Sequence, residues 1–328
     1  MVSDKKMREV FNRLKTPVKL GAVIKDDGIL YDSPSIFFKD GLWYMMYIGI
    51  SANDEDRGYE TFLASSPDLL HWKKLGRILT RTKTGWDGNQ VDGQFVLTDI
   101  SFGGSYSIKP FDGKYWCAYI GGAKPGYEPD PLLIGYACTD DPTVPSEWKR
   151  LEQPILSPYD SDARDFENAT IYRTFIFEDT TNTLGHRFLM YYNAKSGTIR
   201  KEQIGMCVSD DFYTWKRYLP SPVISNLDFK DNCISGDPQV IRMEDLGLWV
   251  IAYFRFDPPL GAFDTFACSE NLTDWTRWQG EPLIKPGDGY DNLYAHKPHI
   301  ISHNGKVYHF YCACNTKGER FIALAVSE

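Results

Sequence analysis

The chain has 328 residues, 42% hydrophobic and 24% charged, with a formal net charge of −8. That supplies core for one large domain or two ordinary ones. The acidic balance, with no Lys/Arg run, argues against a nucleic-acid backbone or an anionic membrane surface as partner. Aromatic residues reach 15%, a composition that favours strands and offers stacking faces for sugar rings.

At the N-terminus, Ser3 to Leu14 places Met7, Val10, Phe11 and Leu14 on one face, predicting a short helix in an extension spanning residues 1–16. This charged segment has no apolar leader core, and no stretch of eighteen apolar residues follows. The expectation is a soluble chain, cytoplasmic as it stands and periplasmic or secreted if a leader has been removed.

From there the chain repeats. A Gly precedes a Tyr by six residues across an aromatic or β-branched run at Gly41–Tyr47, Gly113–Tyr119, Gly185–Tyr191, Gly247–Tyr253 and Gly305–Tyr311. A second strand-like run follows each, ending at Ser66, Thr139, Ser209, Ser269 and Ser327. Four of these lead to a Trp, at 72, 148, 215 and 275, whose repetition argues for packing between units. The fifth run stops at the C-terminus, so the segment Pro17 to Val23 is expected to supply its outermost strand. The pattern predicts an all-β, five-bladed β-propeller with four-stranded blades, residues 1–328 forming a single domain.

The first strand of each blade lines a propeller's channel. Blade one starts Asp32-Ser-Pro-Ser-Ile and blade five His296-Lys-Pro-His-Ile, both nine residues ahead of the Gly turn. Blade three is read as beginning at Arg164-Asp-Phe-Glu167 and blade four at Gly236-Asp237. Blade two is read at Ser105-Tyr-Ser107-Ile, leaving acids only upstream at Asp87, Asp92 and Asp99.

Charges converging on a narrow axis are costly unless they bind or catalyse. Glycoside cleavage needs two carboxyl groups flanking the bond, and the expected pair is Asp32 and Glu167, with Asp237 tuning the donor. Lys297, Arg164 and His296 are expected to hold hydroxyls or a substrate carboxylate, and Trp86, Asp87, Tyr294, Tyr290 and Tyr31 to rim the funnel. Of seven cysteines only Cys312 and Cys314 lie close together, with no second pair to complete a zinc site, so neither metal nor cofactor is expected. Phosphate-cradling Gly loops, nucleophile elbows and His-Glu-x-x-His patterns are absent.

Asp32-Ser-Pro-Ser-Ile with Gly41-Leu-Trp-Tyr, the Ser66-Pro-Asp-Leu-Leu-His-Trp72 turn and Phe166-Glu167-Asn-Ala-Thr-Ile-Tyr172 together resemble the five-bladed propeller glycosidases of glycoside hydrolase families 43, 32, 117 and 130. The likeness covers nearly the whole chain. The family-43 pattern implies Asp32 as general base and Glu167 as general acid, with no Asp at the modulator position in blade two. The family-117 pattern implies His296 as a rival acid, and the phosphorylases of family 130 imply a phosphate site at Arg164, Lys297 and His299. The leading expectation is a glycoside hydrolase acting on an oligo- or polysaccharide. Its alternatives are a glycoside phosphorylase and a catalytically silent sugar-binding propeller.

Overall fold

The N-terminal helix forms as α1 (Asp4–Leu14). Ser3 caps it by accepting from Lys6 N, and Met7, Val10 and Leu14 are buried. Among the described residues, all further regular structure beyond short 3₁₀ turns is strand. The protein is described here as a computed structural model covering every residue except 53, 54, 56, 200, 230, 231 and 259.

The strands hydrogen-bond into antiparallel quartets. The first holds β2 (Ile29–Lys39), β3 (Leu42–Ser51), β4 (Glu60–Ser66) and β5 (Lys73–Leu79). The second holds β6 (Gln90–Phe95), β7 (Tyr115–Gly122), β8 (Leu133–Thr139) and β9 (Lys149–Arg150). A third contains β10 (Thr170–Glu178), β11 (Phe188–Lys195), β12 (Glu202–Ser209) and β13 (Lys216–Arg217). A fourth contains β14 (Ile234–Met243), β15 (Leu248–Asp257), β16 (Gly261–Ser269) and β17 (Thr276–Arg277). In the last, β18 (Tyr294–His303), β19 (Lys306–Cys314) and β20 (Arg320–Val326) are completed by β1 (Val18–Ile24), so the two ends of the polypeptide share one sheet. Single parallel bridges, Glu202 to Ile234 and Ala262 to Tyr294, join the last three quartets into one 12-stranded sheet.

Local chemistry explains the hairpins. Asp40-Gly41, Asp112-Gly113 and Asn304-Gly305 take positive φ at both residues, the two-residue turn whose twist matches paired strands. At the far end of the third strands, Asp68, Asp211 and Asn271 accept two backbone N–H groups each and are tied to Ser66, Ser209 and Ser269. The following Trp then packs onto a neighbouring quartet. Trp72 meets Phe310 edge-on at 5.7 Å, Trp275 meets Tyr191 at 5.6 Å, and the Trp215 indole donates to Tyr136 Oη.

The five quartets are linked in a circle, four of the links running between first strands and one through β11. Phe95 N donates to Ser35 Oγ (3.2 Å), Gln94 Nε2 to Thr174 Oγ1 (2.7 Å), and Asp237 N to Asn193 Oδ1 of the third quartet (3.3 Å). Ile300 N donates to Gln239 Oε1 (2.7 Å), and Ile36 N to His299 Nε2 (3.1 Å), returning to the start. Just before these linkers the strands β2, β10, β14 and β18 each break register, between Asp32 and Ser35, Ile171 and Thr174, Gly236 and Gln239, and His296 and His299. Such bulges re-aim side chains, and Ser33, Asp237 and Lys297 take positive φ there.

That alignment corrects the reading of blade two. Its inner strand is β6, Gln90–Phe95, and Ser107 makes only an isolated bridge to Phe38. Asp92, two residues before Gln94, therefore occupies the bulge position of its neighbours. Counting back from Gly113 by the spacing of blades one and five misses β6, because 19 residues separate it from β7.

Candidate active site

Where the bulges turn their side chains inward, a cavity of about 290 Å³ opens. Asp92, Arg173, Asp237, Lys297 and His296 come to it from the first strands, Glu202 and Asn193 from the third quartet, and Arg320 from β20. Tyr127 and Glu128 reach in from the β7–β8 loop, and Tyr172, Phe254, Phe256 and Tyr294 give it aromatic walls. Charged groups beside apolar faces in a concavity of this size suit a sugar, whose ring has both hydroxyl edges and C–H faces.

The charges form two groups. Asp32 is buried under the cavity rather than lining it, its Oδ2 accepting from Lys297 Nζ (3.0 Å) and Arg320 Nη1 (2.7 Å) and its Oδ1 from Ser33 N (2.8 Å). Burial alone would raise the Asp32 carboxyl, but those two cations hold it well below the usual carboxylate range. In the second group Arg173 pairs with Asp92, donates to Ser33 O (3.0 Å) and lies 3.8 Å from Asp237. Burial raises the Asp237 carboxyl against the pull of Lys297 and Arg173.

Two further carboxyls face this arrangement. Glu202 is half-buried and accepts from Asn193 Nδ2 (3.2 Å); burial first, and then the neighbouring Glu128, push its pKa up to about 8. Glu128 accepts from Tyr59 Oη (2.8 Å) and lies 3.9 Å from Lys297 Nζ. His296 packs edge-on against Phe254, and burial pushes it down to about 3 although Asp32 pulls the other way.

Of the residues expected from sequence, Asp237, His296, Lys297 and Tyr294 line the cavity and Asp32 supports it from beneath. Glu167 does not line it. Its carboxylate, fully buried in a 3₁₀ turn, accepts from Arg217 Nε (2.7 Å), Arg164 N (3.2 Å) and Tyr192 Oη. Asp87 is held alike by Tyr119 Oη (2.7 Å) and Arg150 (3.0 Å), and Asp291 by Tyr311 Oη (2.9 Å) and Lys19 (2.5 Å). An acid ahead of the inner strand, a Tyr on the second strand and a cation on the outer strand thus form a fastening repeated in three quartets. Glu167 thus stands with Asp87 and Asp291 rather than with Asp32, Asp237 and His296, the residues with which its position ahead of a first strand had grouped it.

Arg164 donates to Leu219 O and Arg217 O and borders an outer cleft. Trp86 stacks on Tyr119 and donates to Glu152 O, filling a groove left by Gly121 and Gly135, where an added Cβ would come within 2.1 and 2.7 Å of its ring. Tyr31 is core, its hydroxyl bonded to Asp26 (2.6 Å), while Tyr290 packs against Phe321 and Tyr311. His299 is an acceptor in the first-strand circle.

Sequence reasoning missed Glu202, Glu128, Arg173 and Arg320. Arg173 stands one residue before Thr174 within a recognised strand and was within reach of the bulge alignment. Glu128 and Arg320 carry no repeat signal at all.

No model of a known protein family and no curated protein matches the sequence. Among solved structures, a protein named "Glycoside hydrolase" is 38% identical with a TM-score of 0.95, covering 100% of this protein and 96% of its own length. Another, a complex that carries the names BT0996 and RGII, is 39% identical with the same coverage and TM-score. A thermostable family-43 glycoside hydrolase shares the fold alone, at 15% identity and TM-score 0.64 over 95% of this protein and 91% of that one. Full-length identity at the level of the first two, on a fold shared with propeller glycosidases, shows that this protein belongs to the glycoside hydrolases.

Proposed function

We propose that this protein hydrolyses a glycosidic bond in the central cavity, with Glu202 as proton donor and Glu128 as the opposing carboxylate. The observation that carries the reading is Glu202 itself, a half-buried carboxyl whose pKa is raised to about 8 by burial and by a second carboxylate. A donor must hold its proton at working pH, and glycosidases obtain one by this kind of environment. We take the five quartets, linked in a circle mainly through their first strands, as the blades of a five-bladed propeller with the cavity at one end of its axis.

In this reading a sugar ring lies against Tyr172, Phe254 or Tyr294 while the exit oxygen takes the Glu202 proton. Positive charge developing at the anomeric carbon faces Glu128, which attacks it or activates water according to the carboxyl separation. Asp237 stabilises the same charge from the Arg173 side. Asp32 acts indirectly, fixing Lys297 and Arg320 so that they meet hydroxyls or a sugar carboxylate. Glu167 is a fastening group here, not the donor.

The test is an oligosaccharide panel that includes RGII, the name carried by the 39% identical complex, run in phosphate-free buffer. Release of a free reducing sugar without phosphate is expected. A strict phosphate requirement, or binding of the panel with no release, would defeat the hydrolytic reading.

The pH profile gives a second check. Because the protonated donor is the active form, kcat/KM is expected to fall as pH rises through about 8, and the fall should be absent from Glu202→Gln. Stability moves the same way. The folded protein keeps the Glu202 proton between the ordinary 4.5 and about 8 while the unfolded form has lost it, so this group's contribution weakens as pH rises across that window.

A further inference from the structure

Beside the cavity, β18 and β19 bring together three side chains, one of them the cavity-lining His296, that carry the ligand atoms of a soft metal site. His296, Cys312 and Cys314 are all buried, and one ring nitrogen and the two sulfurs lie within 4.8 Å of one another. The geometry points to a zinc site formed by His296, Cys312 and Cys314, separate from the carboxylates that perform the hydrolysis.

Four observations support it. The two sulfurs are 3.7 Å apart, and a tetrahedral ion with Zn–S bonds of about 2.3 Å holds its sulfurs about 3.8 Å apart. Both cysteines project from the same face of β19 because they are two residues apart on a strand, and β18 pairs His296 directly opposite Cys312. The imidazole Nδ1 lies 3.2 Å from the Cys312 carbonyl oxygen. A carbonyl only accepts, so Nδ1 carries the hydrogen and Nε2 the lone pair, the tautomer that a carbonyl partner fixes in metal-binding histidines. Finally, the other five cysteines are also free thiols, but within the described residues no other set of three His, Cys, Asp or Glu side chains comes this close together.

The charge balance is favourable. Binding Zn²⁺ releases the two thiol protons, so two neutral thiols and a neutral imidazole become two thiolates, the imidazole and a dication, and net charge at the buried site is unchanged. Arg320 and Lys297 are themselves paired to Asp32, so the cations nearest this end of the cavity are already compensated. Three protein ligands leave a fourth position for water or the Asp32 carboxylate. The metal would thus brace the strand pair that presents Lys297 to the substrate.

The experiment loads the full-length protein with Zn²⁺ or Co²⁺, removes excess by desalting, and measures bound metal by elemental analysis together with the near-ultraviolet spectrum of the cobalt form. Expected are one ion per protein molecule, a thiolate-to-cobalt charge-transfer band and a higher melting temperature with Zn²⁺. Cys312→Ser and Cys314→Ser should each weaken binding on the order of tenfold or more and remove or diminish the band, whereas Cys268→Ser should retain both. Absence of a charge-transfer band in the unmutated protein overturns the site whether or not the variants fold. So does metal retention by Cys314→Ser equal to that of the unmutated protein.

Discussion

Glu202→Gln is expected to cut kcat on a natural oligosaccharide on the order of a thousandfold, within the range that general acid catalysis contributes. The amide is the same size, can still meet Asn193 and has no proton to give, so unfolding temperature should change little. The decisive comparison uses two leaving groups. An aryl glycoside with an acidic phenol needs little protonation as it departs, so the variant should recover much of its turnover on that substrate while remaining slow on the natural bond. Glu128→Gln should be slow on both, because its carboxylate acts on the sugar rather than on the departing oxygen. Equal losses for the two variants on both substrates would show that Glu202 is not the donor. Near-normal turnover in Glu202→Gln would remove the proposed chemistry altogether.

Glu167→Gln is expected to do the reverse, lowering stability while leaving kcat of the folded enzyme unchanged. Arg217 is almost wholly buried and donates to Glu167 at 2.7 Å, with Asp160 (2.6 Å) and Asp162 (2.9 Å) as its other acidic partners. Removing one partner of a buried pair leaves charge uncompensated, at a cost of about 3 to 5 kcal/mol. The two remaining aspartates are more exposed and place this case near the lower end. Chemical denaturation of Glu167→Gln beside Asp87→Asn, its counterpart in the second quartet, measures the loss, and both should be destabilised. A fully stable Glu167→Gln with turnover reduced as far as in Glu202→Gln would return Glu167 to the donor role.

These two carboxylates show what a repeated sequence reveals and what it conceals. Periodicity detects whatever recurs, and hairpin turns, packing tryptophans and acid–Tyr–cation fastenings recur because every quartet must solve the same packing problem. The strand order, the closing role of Val18–Ile24 and the short helix were all legible for that reason. A catalytic group is needed once. Glu202 stands at the start of a third strand, where the other quartets have Glu60, Leu133, Gly261 and Arg320, and Glu128 on a loop between strands, so no shared residue type marks either position.

By itself the sequence determined the all-β repeat, the Gly turns, the shared N- and C-terminal sheet and four residues of the cavity, Asp237, His296, Lys297 and Tyr294, because each follows from local patterning or a fixed offset along one strand. Only the tertiary structure decided which carboxyls meet. The register breaks that turn Asp237 and Lys297 inward, the loop that brings Glu128 to Lys297, and the strand pairing that sets His296 against Cys312 join residues distant along the sequence. Burial then separated roles that the residue types alone leave equal. It locked Glu167 between Arg217 and Tyr192, and it left Glu202 half-buried beside a like charge, where a carboxyl keeps its proton.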